Sequence, residues 1–240
     1  APGHADWPVI SSPLGFMDTC GFPKDHYYYY KSSWSSETVL HMFPHWNWGH
    51  KEESDRTIHV RSFSNCENVE LFLNDESQGR QDQIPYTGLS CQVEWAPGTL
   101  EAKCYVNGEV IASTTRETTD EPAGIALAPD RSSINADGED VSLVTVSILD
   151  AQGRIVPTAS NEVQFSLEGP GEIIGVGNGN PSSHEADKAE KRKAFNGLAM
   201  VIIQASKRPG MIKLTAESSD LETTVVEITS VKSAIRPRVP

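Results

Sequence analysis

Basic charge is scarce in this 240-residue sequence: 20 lysines and arginines stand against 33 aspartates and glutamates, a formal net charge of -13. A phosphate-backbone partner needs clustered cations on one face, so nucleic acid is excluded as a partner. No stretch approaches the ~20 consecutive apolar residues of a membrane-spanning helix, so no helical membrane partner is expected. The opening Ala1-Pro2-Gly3-His4 lacks the basic, apolar and small-residue regions of a signal peptide, and there is no initiating Met. Both features predict a boundary inside a longer gene product. Cysteine is sparse, and Cys20, Cys66, Cys91 and Cys104 show no CxxC spacing, which removes the usual zinc and redox signatures. The ordinary expectation is four buried thiols packed as small hydrophobes. A Cys91–Cys104 bridge would need an oxidising compartment, and about three full pairings of four cysteines stay open.

Several catalytic signatures are missing too. There is no Gly-x-Ser-x-Gly nucleophile elbow. The run Gly175-Val176-Gly177-Asn178-Gly179-Asn180 imitates a phosphate cradle. It lacks the Lys-Ser/Thr of a P-loop and runs into Pro181, so it reads as a turn at a sandwich edge. No cofactor is implied.

What is present divides the chain. At 38% apolar residues it can bury a core, and its length suits two small domains. The first fifty residues hold four of the five tryptophans and five of the seven histidines, together with the one convincing helix, Lys24 to Trp34 behind Pro23. Tyr27, Tyr30, Lys31 and Trp34 share one side of that helix, an aromatic stripe that needs a partner surface. A lone helix makes no core, so residues 1–36 are expected to be a fragment of a larger domain. From Glu37 the pattern turns to strands with period-two alternation: 39–43, 57–63, 69–73, 90–95, 100–106 and 109–113. Asn74 to Ser77 reads as a polar turn, and Asn107-Gly108 as a hairpin turn, since both residues tolerate positive φ. This all-β domain is expected to span 37–118. A second, 119–230, carries seven strand signals: 124–127, 141–149, 162–167, 173–176, 198–205, 211–216 and 223–228, with turns about every ten residues, the spacing of an immunoglobulin-like sandwich. The loop His184 to Lys193 carries mixed charge and reads as solvated. The proline-containing tail, 231–240, is expected to fray.

The segment Trp7-Pro8-Val9-Ile10-Ser11-Ser12-Pro13-Leu14-Gly15-Phe16-Met17-Asp18-Thr19-Cys20-Gly21-Phe22-Pro23-Lys24-Asp25 closely resembles the stretch after the nucleophile in bacterial family 2 glycoside hydrolases of the β-galactosidase type. Tyr27 to Trp34, His41 to Trp48, Asn65-Cys66, Val69 to Asn74, Pro129 to Arg131, Ala136 to Asp140 and Gly169 to Gly179 continue the resemblance in order. It implies a mainly β fold: two immunoglobulin-like β-sandwiches preceded by a short loop-helix remnant of a (β/α)8 barrel. It also implies a retaining glycosidase whose two glutamates, roughly 5 to 5.5 Å apart, lie upstream. The chain carries no Asn-Glu pair of the acid/base type and no glutamate that maps to the nucleophile, so no catalytic residue is assigned and the chain alone is expected to be inactive. Bacterial relatives of this type are commonly exported, which places the parent protein in the periplasm or outside the cell. The expected partner is the upstream barrel of the same polypeptide, and self-association into a homo-oligomer is compatible with that role.

Four groups of residues invite sharper readings. Asp18 and Asp25 flank the helix start and read as turn and cap residues rather than a catalytic pair. His41 and His45, with His50 nearby, could suggest a metal pair, but Pro44 breaks a helix between them and a strand would hold them about 13 Å apart, so no metal is expected. Trp46 and Trp48 would share one face of a strand, the arrangement of a sugar-stacking platform. The competing reading makes them hydrophobic glue against the barrel. Trp7 lies in the segment that, by resemblance, borders the active-site mouth, which makes it the better sugar contact. Three functions follow. The first is accessory support of a β-galactosidase barrel. The second is a carbohydrate-binding module, resting on Trp46 and Trp48, that targets the enzyme to a galactoside or polysaccharide. The third is a cell-surface adhesion module, supported at the level of fold alone.

Overall fold

The structure is a computed structural model and describes residues 7–11, 14–49, 52, 56–84 and 86–234. It separates into two compact units. The first takes Leu14–Asp18 and Phe22–Thr119; the second takes Asp120 onward, together with the described residues of 1–13 and 19–21. The first 36 residues are thus divided between the two units.

In the first unit, helix α1 (Asp25–Trp34) precedes β1 (Leu40–Phe43), β2 (Thr57–Ser64), β3 (Asn68–Leu73), β4 (Glu76–Asp82), β5 (Leu89–Glu94), β6 (Thr99–Val106) and β7 (Glu109–Glu117). Two antiparallel sheets, β1-β2-β5 and β4-β3-β6-β7, form a β-sandwich. Alternation sets the inner faces: Ile58 and Val60 on β2 and Leu100, Ala102 and Cys104 on β6 are buried with Met42, Trp46, Val69 and Val93. Asn107 and Gly108 both adopt positive φ, 52° and 83°, and close the β6–β7 hairpin as its dipeptide predicts.

Three expectations for this unit are corrected. The polar turn is confined to Asn74-Asp75, and Glu76 and Ser77 open β4, a polar edge strand with no apolar residue to announce it. Asp25 does not cap α1; the N-cap is Lys24, without a side-chain cap bond, and Asp25 is the first residue of the helix, its carboxylate held by His41 Nε2 at 2.8 Å. The cysteines are not four thiols, and the bridge is not Cys91–Cys104. Cys66, just past the end of β2, is bonded to Cys104 on β6, where Val69–Cys104 pairing brings the two Cα atoms to 5.7 Å. That separation lies within the range a disulfide spans without backbone movement.

The second unit contains β8 (Gly124–Pro129), β9 (Ser133–Asn135), β10 (Val141–Leu149), β11 (Glu162–Glu168), β12 (Gly171–Gly177), β13 (Lys191–Lys193), β14 (Leu198–Ala205), β15 (Gly210–Glu217) and β16 (Thr224–Val231). The sheets β12-β14-β10-β8 and β13-β11-β15-β16-β9 enclose a core that includes Val144, Val146, Ile148, Phe165, Ile203, Ile212, Leu214 and Ile228. Among the described residues, all pairings between these strands are antiparallel except β9 with β16. Among the described residues nine strands stand where seven were expected, the two additions, β9 and β13, being only three residues long. The tail expectation lies largely outside the described residues, although β16 itself runs on to Val231.

Beyond β10 the turn Asp150–Gly153 is locked by a buried carboxylate. Asp150 accepts the backbone N–H of Gln152 at 3.0 Å, Arg154 at 2.9 Å and Asp120 at 3.1 Å, and the Nε–H of Arg154 at 2.8 Å. Burial pushes the Asp150 carboxyl up, but the Arg154 guanidinium and the backbone donors outweigh it and bring it down to about 2. The unfolded carboxyl titrates near pH 3.9, so the native state binds its proton less readily than the unfolded state. The resulting stabilisation, about 2 to 3 kcal/mol, is full above about pH 5 and is lost as pH falls towards 2. Calorimetry of the Asp150→Asn variant should show a second unit less stable at neutral pH whose melting temperature falls less steeply over that acid window. Parallel curves for the two proteins would refute the linkage.

Candidate functional site

The most structured irregular region lies in the second unit, between β12 and β14. Arg192, the middle residue of β13, has a side chain only 5% exposed. Its guanidinium donates to Asn178 Oδ1 at 3.3 Å, to the Glu185 carbonyl at 3.2 Å and to Asp187 Oδ1 at 3.1 Å. Asn178 in turn donates to the Lys193 carbonyl at 2.9 Å and accepts the Asn180 N–H at 3.0 Å. Glu185 accepts the Lys193 N–H at 3.1 Å and the Ser183 hydroxyl at 3.0 Å. The stretch expected to be solvated is therefore built on a buried cation. The period-two pattern of Lys191-Arg192-Lys193 puts only the middle side chain inside.

Segments from the beginning of the chain lie on this loop. The backbone N–H groups of Ile10 and Ser11 both donate to the Pro181 carbonyl, at 2.7 and 3.3 Å. His184 Nε2 lies 2.8 Å from the Pro8 carbonyl, and its ring is 4.4 Å from that of Trp7. The Cys20 sulfur sits so close over Gly177 that a Cβ there would meet it at 2.5 Å, so a larger residue would have to displace the Cys20 side chain. Between these segments and the outer face of β10, β12 and β14 is a cavity of about 770 Å³. Leu143, Met200, Ile202 and Ile10 supply apolar lining, and Asn180, His184, Glu185, Asp187 and Arg192 supply polar lining. Trp7 is 80% exposed, so its indole presents a flat apolar face to solvent.

The other aromatic candidates are placed elsewhere. The platform of Trp46 and Trp48 does not form, because β1 ends at Phe43 and Pro44 to Trp48 is a loop rather than a strand. Trp46 is fully buried in the first unit's own core and donates its Nε1–H to the Ala96 carbonyl at 2.9 Å. Trp48 turns back to donate to the His45 carbonyl at 2.8 Å and stacks on the His45 ring at 4.5 Å. The carbohydrate-module reading loses its motif with them. His41 stacks on Tyr28 at 3.8 Å and pairs with Asp25, while His50 lies outside the described residues. Asp18 closes a turn by accepting the Phe22 N–H at 3.0 Å. The dipeptide Asn161-Glu162 opens β11, where Glu162 forms an exposed ion pair with Lys191 at 3.1 Å. Of the residues gathered here, the sequence singled out Trp7 and passed over Asn178, His184 and Arg192.

Residues 125–227 match the family model of glycoside hydrolase family 2 C-terminal domain 5, and residues 55–112 match a domain of unknown function, DUF4982. Over 230 residues, 95% of this chain, the sequence is 44% identical to the β-galactosidase BoGH2A of Bacteroides ovatus. The chain belongs to glycoside hydrolase family 2. This family 2 chain is also 31% identical, over 86% of its length, to a putative β-glucuronidase of Formosa agariphila. Its fold superposes on the crystal structure of a β-glycosidase from Bacteroides vulgatus with a TM-score of 0.89 at 32% identity, covering 94% of this chain and 29% of that one. It spans 27% and 20% of the lengths of the two curated relatives and corresponds to the C-terminal part of such enzymes.

Proposed function

We propose that this chain is the accessory C-terminal region of an exported, retaining β-galactosidase whose catalytic barrel lies upstream and is held by these two sandwiches. The observation that carries the reading is the 44% identity, over nearly the whole chain, to a β-galactosidase. Three structural facts support it. The carboxylates that could suggest catalysis, Asp18, Asp25 and Glu162, are each engaged in a turn or ion pair. In the first unit, Leu14, Phe16 and Trp34 are exposed around α1, and Trp34 is 77% exposed, an apolar surface suited to a large intramolecular partner such as a barrel. The Cys66–Cys104 bridge suits the periplasm or cell exterior. Self-association into a homo-oligomer is a further use of the same surface.

The test is hydrolysis of aryl β-galactoside and aryl β-glucuronide by the longer gene product and by this chain alone. Galactoside cleavage by the longer product only is the expected result. Glucuronide preference would overturn the substrate, and activity in the chain alone would overturn the accessory role.

A further inference from the structure

We propose that the cavity beside Trp7 in the second unit is a binding site for neutral saccharides, whichever glycoside the barrel hydrolyses. Its size, about 770 Å³, lies within the range of small-ligand pockets. The lining has the two chemistries a sugar ring presents. Leu143, Met200 and Ile202 offer an apolar floor for a C–H face, while Asn180 and the carboxylates of Glu185 and Asp187 are suited to hydroxyl groups. Arg192 lines the same cavity, and its buried Nε–H has no hydrogen-bond acceptor; a Glu185 carboxylate oxygen lies 3.8 Å away. An unmatched buried donor is costly, and a ligand hydroxyl oxygen would satisfy it. His184 belongs to the lining, and the exposed Trp7 indole, outside the lining itself, packs on the His184 ring at 4.4 Å, with the Pro8 contact of His184 holding the pair together.

Charge selects among ligands. Two carboxylates face one guanidinium, so with His184 neutral the lining carries net negative charge and opposes uronates and phosphates. A nucleotide is disfavoured on the same ground.

Calorimetric titration of the chain with lactose, cellobiose and glucuronic acid tests this. Saturable binding of at least one neutral disaccharide, with none of glucuronic acid, is expected. Trp7→Ala removes an exposed ring and no core contact, so it should weaken that binding roughly tenfold while leaving the melting temperature unchanged. Asp187→Asn, at a side chain 85% exposed, should weaken it and relieve the exclusion of glucuronic acid. Absence of heat with both disaccharides up to roughly ten times a millimolar Kd overturns the site. So does disaccharide binding that survives both substitutions, or glucuronic acid binding as tightly as the disaccharides. Aryl galactoside hydrolysis by the longer product is scored separately, since it can persist when no sugar binds here and can fail while lactose still binds.

Discussion

Removing the Cys66–Cys104 bridge is expected to lower the stability of the first unit by about 4 kcal/mol, the chain-entropy value for a closed loop of this size. The two cysteines are 38 residues apart in sequence, so the bond ties the end of β2 to β6 across three intervening strands and their turns. Both side chains are buried among Met42, Trp46, Val69 and Leu100, and cutting the bond also leaves two thiols in a tight core. For a unit of roughly 100 residues such a loss moves the melting temperature by roughly 15 °C or more. The paired Cys66→Ala, Cys104→Ala variant, or the chain unfolded and reduced before refolding, should show that drop in calorimetry. Cys20→Ser and Cys91→Ser should move the midpoint by less than about 1 kcal/mol, because each side chain is only half-buried. A thiol count on the unfolded, unreduced chain gives an independent reading: two reactive thiols, Cys20 and Cys91, against four if the bridge does not form. Four thiols, or a midpoint insensitive to reductant, would remove the bridge, and with it the structural support for an exported parent.

The strands were legible where burial is one-sided. Alternation on β2, β6, β10 and β14 follows the pleat, so period two alone locates Ile58, Leu100, Val144 and Val201 in the cores. It failed at β4, whose Glu76 to Asp82 holds no apolar residue and exists because β3 offers an unpaired edge. It also failed at β9 and β13, where three residues cannot show a period. The cysteine pairing was illegible because it depends on which strands are neighbours: β6 pairs with β3, which follows Cys66 within a few residues, while Cys91 lies on β5 in the other sheet. At the candidate site, Trp7 was singled out only through the resemblance of its segment to one that borders an active-site mouth. Arg192 was not, because a cation among Lys188, Glu190, Lys191 and Lys193 has the composition of a solvated loop, and only the contacts of Asn178, Glu185 and Asp187 bury it.

Trp46→Ala is expected to destabilise the first unit by about 3 to 5 kcal/mol, the usual cost of truncating a fully buried tryptophan. The side chain fills the core beside Met42, Val60 and Val93, so its removal leaves a cavity the surrounding strands cannot close without breaking sheet register. Its loop is also a junction of hydrogen bonds. The indole N–H donates to the Ala96 carbonyl, while the Trp46 carbonyl accepts the Trp95 indole N–H at 3.0 Å and the Thr118 hydroxyl at 3.1 Å. The adjacent Asn47 exchanges bonds with Thr119, its Nδ2 donating at 2.7 Å and its Oδ1 accepting the Thr119 N–H at 3.1 Å. The indole thus anchors the chain leaving β1 to the segments that follow β5 and β7. Trp46→Phe keeps most of the volume but strands the Ala96 carbonyl, and should cost about 1 to 3 kcal/mol. Trp48→Ala loses a half-buried ring stacked on His45 and should cost no more than about 1.5 kcal/mol. Denaturant midpoints of the three variants separate two readings of this aromatic pair. A core anchor gives a steep order, Trp46→Ala far above Trp48→Ala. A sugar platform gives two small and similar losses together with lost saccharide binding, which the burial of Trp46 already opposes.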